Sequence, residues 1–203
     1  MNVKRNLMLL AVALLVVPAG CIFSPPEDPK PVKPGETLPF ADSPQQLMEN
    51  FQTVYEDMDI DGYREVIDPD FVIYLSQDTI DEYSLPREFF DYDEEVQITE
   101  RMFSGNAITR PNGDIIPGIT RIQFNYFQAE AAWAVSPADH RIPNALWAPY
   151  RVDFTIDQGN EGRLNITGII EFYLTSEQVE HQGRTQTKYT MVGQVDYTAS
   201  GGA

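Results

Sequence analysis

The spacing of apolar residues changes its period near the middle of the chain, from about 3.6 residues to about 2. In the first half, apolar side chains share one face in "SPQQLMENFQTVYEDM", in "DGYREVI" and in "DYDEEVQITERMF". Ser43 and Gln46 have the spacing of a capping box at the start of the first segment, as do Asp91 and Glu94 in the third. We therefore predict three helices in this half of the chain.

Strand-like patterns occupy the rest of the chain. The β-branched and aromatic run Phe71–Leu75 predicts one early strand. Alternating apolar and polar residues predict four later strands, Thr120–Val135, Tyr150–Asp157, Arg163–Thr175 and Thr185–Thr198. The turn sequences "QGNEG" and "EHQG" predict antiparallel hairpins between the last three. Helices followed by a run of strands indicate an α+β fold.

The first 42 residues have a different character. Residues 1–20 combine Lys4 and Arg5 with an apolar run, Leu7–Val17, and small residues, which is typical of a secretory signal peptide. The "PAGC" junction resembles a bacterial lipobox, although Pro18 stands where an aliphatic residue is usual. This resemblance implies lipidation of Cys21 and attachment to the cell envelope, with Ile22 after the cysteine implying the outer membrane.

The single cysteine of the chain is Cys21, so no intramolecular disulfide can form. Residues 21–42 contain many prolines and few apolar residues, which predicts a tether. Residues 43–198 are then one folded domain, and residues 199–203 a flexible tail.

The net negative charge of the chain argues against some classes of binding partner. Once Lys4 and Arg5 are removed with the signal peptide, 12 basic and 31 acidic residues remain, a net charge of −19. Such a charge repels nucleic acid and anionic lipid head groups, so the membrane is a partner only through Cys21. Composition alone does not distinguish solubility or a salty habitat from recruitment of a basic partner.

Three stretches resemble the nuclear transport factor 2-like superfamily, also called cystatin-like or ketosteroid-isomerase-like: "YEDMDIDGYREVIDPDFVIYL", "FDYDEEVQITERMFSG" and "TMVGQVDYT". The resemblance covers residues 43–198. It implies three N-terminal helices packed on a curved, mainly antiparallel sheet that forms a cone-shaped pocket. It also implies that a homodimer through the sheet is possible.

A calcium site is one alternative for the stretch after the first helix. Asp57, Asp59, Asp61 and Asp68 match acidic positions of an EF-hand loop. A cation, Arg64, at position eight and Pro69 directly after position twelve argue against that site. We favour a junction between helices, in which Asp59 or Asp61 caps the second helix.

Catalytic residues are not evident. The ketosteroid-isomerase-like pattern puts Leu75 at the position of the catalytic base and Phe51 at that of the tyrosine, and neither can transfer a proton. His140 and His181 fall in predicted loops and form no metal cluster, so we assign no catalytic residue, metal or cofactor. Among the aromatic residues that could line a pocket or its rim we select Tyr126, Trp133 and Trp147.

Three functions remain open at this point. The first is a membrane-anchored envelope lipoprotein whose non-catalytic domain binds a small apolar ligand or an envelope protein. The second is an isomerase- or dehydratase-like enzyme with a divergent site in the cone. The third is a calcium-binding protein. A buried acid–base pair in an open pocket would favour the enzyme, and a filled pocket would favour a binding module.

Overall fold

The computed structural model describes residues 38–77, 80–81, 86–109, 113, 115–159 and 162–202. The predicted signal peptide, Cys21 and the tether up to residue 37 lie outside these residues. None of the helices in the described ranges is long and apolar enough to cross a membrane.

In the part of the chain that the structure describes, three helices of seven or more residues precede most of the sheet. The helices are α1 (Pro44–Asp57), α2 (Ile60–Val66) and α3 (Tyr92–Phe103). The strands are β1 (Ile67–Tyr74), β2 (Phe89–Asp91), β3 (Ile108–Thr109), β4 (Ile115–Ile116), β5 (Arg121–Ala129), β6 (Ala134–Val135), β7 (Leu146–Asp157), β8 (Arg163–His181), β9 (Arg184–Asp196) and β10 (Ala199–Gly202).

The main sheet has the strand order β2-β1-β9-β8-β7-β5, with β6 added to β7 and β10 to β8. Among the strands in the described residues, β1 and β9 pair in parallel and the other pairs are antiparallel. Irregular registers between Phe124 and Tyr126 and between Tyr173 and Leu174 bend the strands locally. The α+β prediction of three helices on a curved, mainly antiparallel sheet is confirmed.

The predicted helix starts are also confirmed. The Ser43 side chain accepts a hydrogen bond from the Gln46 backbone N–H. Asp91 and Glu94 form a reciprocal capping box at the start of α3. Because these bonds satisfy backbone donors that a helix leaves free at its start, the two positions define where the helices begin.

Three strands are longer than predicted, and Thr120–Val135, predicted as one strand, is two, β5 and β6. β7 begins at Leu146 and not at Tyr150. β1 begins at Ile67, before Pro69, with a register irregularity on its β9 side that accommodates the proline. β8 continues to His181, and Gln182 and Gly183 connect it to β9 with positive φ at both positions. Positive φ at both turn residues matches the twist of a two-residue hairpin.

The ordered domain extends past both predicted boundaries. The Ala41 carbonyl accepts a hydrogen bond from the Tyr189 N–H, and Asn50 donates one to the Pro39 carbonyl. At the other end, β10 pairs with the first half of β8. Residues 38–42, predicted as tether, and residues 199–202, predicted as tail, are therefore part of the folded unit.

Candidate functional site

The space between the helices and the sheet is filled by aromatic rings. Phe51 of α1 lies at the centre, only 3% exposed. Its ring packs against those of Tyr55, Tyr63, Phe124, Phe127 and Phe172, with centroids 4.6–6.4 Å apart. Phe51 is the residue that stands at the tyrosine position of the ketosteroid-isomerase-like pattern, and here it contributes packing.

A polar cluster is embedded in this interior. Glu95 of α3 accepts hydrogen bonds at the same oxygen from the Tyr63 hydroxyl and the Thr99 hydroxyl, each 3.0 Å long. Tyr63 and Thr99 are 0% exposed and Glu95 is 7% exposed. Asp196, near the end of β9, is partly buried and accepts a bond from the Thr198 N–H. Two carboxyl groups thus enter an otherwise apolar interior.

Burial dominates the electrostatics of the cluster. It raises the pKa of Glu95 above its ordinary 4.5, and the nearby Asp196 adds to the rise, while hydrogen bonds from Thr99 and Tyr63 oppose it. Burial likewise raises the pKa of Asp196, against hydrogen bonds from Thr198. The pKa values of Tyr55 and Tyr63 are raised by burial and then by the neighbouring Glu95. The carboxyl protons are therefore held more tightly than in water.

The proposed calcium-loop carboxylates make local structural contacts instead. Asp59 caps α2 by accepting hydrogen bonds from the N–H groups of Asp61 and Gly62, as predicted for this junction. Asp61 pairs with Arg64 at 2.9 Å. No group of three or more His, Cys, Asp or Glu in the described part of the chain is arranged to hold a metal ion.

Asp68 and Asp57 are the other two acids of the proposed calcium loop. Asp68 accepts hydrogen bonds from the Asp70 N–H and the Thr190 hydroxyl, and Asp57 is exposed at the end of α1.

Leu75 stands at the base position of the isomerase-like pattern. It follows β1 and donates its backbone N–H to the Glu88 carbonyl, so its contact connects two parts of the chain.

The outer face of the sheet, on the side away from the helices, carries a second chain of polar groups. The Tyr173 hydroxyl donates to Glu171 at 2.8 Å and lies 3.1 Å from the His140 Nδ1. Because that hydroxyl proton is used by Glu171, Nδ1 must carry the proton in the His140–Tyr173 bond. The Trp147 ring lies 4.5 Å from the His140 ring and is stacked at 6.2 Å on Tyr173.

The loop 136–145 carries His140 over this face. Ser136 holds the loop together, donating to the Ile142 carbonyl and accepting from the Ala145 N–H. Ile142 rests on Gly193: a Cβ at that glycine would lie 2.1 Å from the Ile142 Cδ1. Glycine at this position lets the loop approach the sheet closely.

The three aromatic residues selected from the sequence lie in different places. Trp133 is partly buried and packs beside Tyr150 of β7, with ring centroids 5.8 Å apart. Trp147 is on the outer face. Tyr126 is 43% exposed, and its hydroxyl bonds to Gln128. The structure does not bring these three residues together into one site.

A surface groove of about 610 Å³ lies between residues 38–41, the helices α1 and α2, and the tip of the β8–β9 hairpin. The Phe40 ring is stacked on His181 at 4.0 Å beside it. Its lining mixes apolar residues with Glu177, Lys188 and other polar side chains. Charges of both signs and an apolar floor select no single ligand class.

Comparisons with known proteins concern the fold. No protein-family model matches the chain, and no curated protein matches it. The crystal structure of a conserved protein from Planctomyces limnophilus DSM 3776 is similar with a TM-score of 0.51 and 9% identity, covering 77% of this chain and 93% of the other. An IdmH loop truncation variant gives a TM-score of 0.43 and 13% identity, covering 78% of this chain and 92% of that variant.

A proposed SnoaL-like polyketide cyclase from Jannaschia sp. CCS1 gives a TM-score of 0.35 and 9% identity, covering 85% of this chain and 91% of that protein. At these identities, similarity concerns the fold alone. The Planctomyces structure shows that a protein of known structure shares this arrangement of helices on a curved, mainly antiparallel sheet.

Sequence reasoning missed the residues that carry most of the site chemistry. Glu95 is a charged residue in the first turns of a helix rich in acids, and Tyr173 and Glu171 belong to an ordinary alternating strand. A carboxylate on the apolar face of α3, beside Val96 and Thr99, was the one available signal for Glu95. His140 is 33 residues from Tyr173 in the sequence, and no local pattern indicated that the two side chains meet.

Proposed function

We propose that this chain is an exported lipoprotein, anchored at Cys21 to the cell envelope and most simply to the outer membrane, whose domain binds a partner without catalysis. The observation that carries the non-catalytic part is the filled interior. Phe51 and its aromatic neighbours occupy the space that a small ligand would need. Tyr63 and Thr99 are fully buried and Glu95 is only 7% exposed, so little of this cluster is open to a substrate.

The anchor is tested by metabolic labelling with a palmitate analogue. Wild-type protein should be labelled and sediment with membranes, whereas Cys21→Ala should be unlabelled and released, because it lacks the thiol that carries the lipid. Ser24→Ala, three residues further on, is the matched control and should behave as wild type. Equal labelling of the Cys21→Ala protein would refute the anchor.

The filled interior is tested with an environment-sensitive apolar dye such as anilinonaphthalene sulfonate. Phe51→Ala, which removes a central ring, should bind the dye in the space created and give a larger saturable fluorescence increase than the wild type, whose surface groove is unchanged by the substitution. Circular dichroism confirms that the variant is folded before titration. Equal fluorescence from the wild type and Phe51→Ala would contradict a filled interior.

The binding surface we propose is the outer face of the sheet. Away from the loop 136–145 this face is polar: Asn125 donates to Asp153 and to Thr155, which in turn donates to Asn165. A polar face suits a partner that associates reversibly. An envelope protein is one such partner and a second copy of this chain another. Sedimentation velocity between 1 and 100 µM, roughly the range of reversible association, distinguishes them, since only self-association depends on the concentration of this chain alone.

The carboxyl pair favours a second candidate function, acid–base catalysis on a small carbonyl compound. Glu95 has a raised pKa and lies among the hydroxyl groups of Tyr63 and Thr99, with Asp196 nearby. Such tuning is found in catalytic carboxyl groups, and also in structural clusters. Proton exchange from a panel of enolisable ketones in deuterated water, followed by NMR, tests it. Exchange by the wild type that is lost in Glu95→Gln would establish the enzyme, and absence of exchange supports the binding role.

A further inference from the structure

The outer face of the sheet places cations of this chain on aromatic rings next to carboxylates. The Arg141 guanidinium lies 5.2 Å from the centre of the Tyr74 ring and 3.0 Å from a Glu88 carboxylate oxygen. Arg87 repeats the arrangement on the same edge, over the Phe89 ring at 5.6 Å and paired with Glu94. An aromatic face combined with an anion attracts a guanidinium group through both its charge and its flat shape.

Two further groups lie on this face. Burial and then Glu171 raise the pKa of Tyr197, which is 53% exposed, and the charge of Arg141 lowers it. Glu171 accepts a hydrogen bond from the Tyr173 hydroxyl and has no salt bridge with any cation in the described ranges. Tyr74 and Glu88 contact the Arg141 guanidinium, and we call the position that they hold the guanidinium site.

Arg141 can leave this site without disrupting the loop that carries it. The side chains of Arg141 and Glu88 are 52% and 48% exposed. The loop 136–145 is held independently by Ser136, by Ile142 on Gly193 and by the bond between His140 and Tyr173. Breaking the exposed Arg141–Glu88 ion pair therefore costs little free energy, since exposed ion pairs contribute little to stability.

We propose that the guanidinium site receives an arginine side chain of a partner polypeptide, and that Arg141 occupies the site in its absence as an internal competitor. The site then provides the ligand class for the proposed binding role, on which it rests. The net charge of −19 left after the signal peptide attracts basic partners over a distance. The Tyr74 ring and the Glu88 carboxylate select arginine over lysine, because a planar guanidinium can stack on a ring and form two parallel hydrogen bonds with a carboxylate.

The test is an NMR titration of the full chain in neutral detergent with the peptide acetyl-Gly-Arg-Gly-amide, following the backbone amides of Tyr74, Glu88 and Tyr197. Acetyl-Gly-citrulline-Gly-amide is the uncharged, matched ligand. The arginine peptide should shift these amides in a saturable way. In Arg141→Ala the affinity should rise about threefold, the effect of removing a competitor that is held only by an exposed pair.

Two further variants separate this site from general electrostatics. Arg163→Ala removes the same charge from an exposed pair with Asp157 that involves no ring, and should leave the affinity unchanged. Glu88→Gln, at an exposed position, should weaken peptide binding in the Arg141→Ala background at least fivefold.

The proposal is overturned if Arg141→Ala binds no tighter than wild type, if Arg163→Ala has the same effect, or if the citrulline peptide binds equally well. These outcomes are independent of lipidation at Cys21. A failed anchor and a failed guanidinium site are therefore distinguishable.

Discussion

Glu95 is the residue whose chemistry is most altered by its surroundings. On the surface of α3 it would be an ordinary helix glutamate, but the fold encloses it with Tyr63 and Thr99. Its folded-state pKa is raised, so the folded protein keeps this proton to a higher pH than the unfolded chain. The stabilisation from the protonated group is complete below the unfolded pKa and is lost as pH rises through the folded pKa.

Replacing Glu95 by glutamine should therefore change the pH dependence of stability. The amide can still accept the hydrogen bonds of Tyr63 and Thr99, but it does not ionise. The free energy of unfolding of Glu95→Gln, relative to wild type, should increase as pH rises above about 4.5, the ordinary value. Urea unfolding from pH 4 to 8 measures this difference. Asp196 titrates in both proteins and contributes to both curves.

The exposed Glu65→Gln variant is the control for that experiment. Glu65 is exposed on α2, so this variant measures the effect of losing one glutamate charge without burial. A Glu95→Gln curve that runs parallel to wild type would mean that Glu95 ionises as it does in water.

The ends of the helices show how short sequence signals determine an element. The capping box of Asp91 and Glu94 satisfies backbone donors at the start of α3, and three acids in its first turn interact favourably with the helix dipole. Asp91→Ala should lower the free energy of unfolding by about 1 kcal/mol. Chemical denaturation measures the loss. Asp93→Ala, two residues on and outside the cap, should cost less; equal losses would assign the effect to charge instead of capping.

The loop 136–145 depends on a contact that its own sequence does not reveal. Ile142 packs on Gly193 of β9, where a Cβ would also meet the Val72 carbonyl oxygen at 2.8 Å. Gly193→Ala should destabilise the protein by roughly 1–3 kcal/mol, because the loop or the strand must move.

Combining Gly193→Ala with Ile142→Ala separates the two contacts at Gly193. The double variant should recover part of the Gly193→Ala loss, since it removes one of them, and a double-mutant cycle in urea measures the coupling. Strictly additive losses would show that the loop does not rest on Gly193.

At the scale of the whole molecule, repulsion among acidic side chains opposes folding. The chain has 31 acidic and 14 basic residues, and exposed charges repel one another over about 10 Å at 0.1 M salt. Raising sodium chloride from 20 to 500 mM, a range that shortens this distance several-fold, should therefore raise the melting temperature by a few degrees. Calorimetry at pH 7 measures it. A melting temperature that falls with salt would mean that attractive surface pairs such as Arg141–Glu88 outweigh the repulsion.

Local patterns were sufficient for most of the architecture. The period of the apolar residues, the caps at Ser43 and Asp91 and the turn at Gln182–Gly183 act within a few residues, and the α+β fold follows from them. Local patterns did not predict where the folded domain begins and ends. Residues 38–42 and 199–202 have no strong periodicity and are ordered only because strands β8 and β9 offer them partners.

The sequence by itself determined the three helices, most of the long strands, the acidic charge and a cap at Asp59 or Asp61, because each depends on neighbours along the chain. Only the tertiary structure decided which polar groups meet. Glu95 and Tyr63 are 32 residues apart, Tyr173 and His140 33, and Arg141 and Glu88 53. Their burial and pairing depend on which surfaces pack together, and that packing is a property of the whole core that no local spacing encodes.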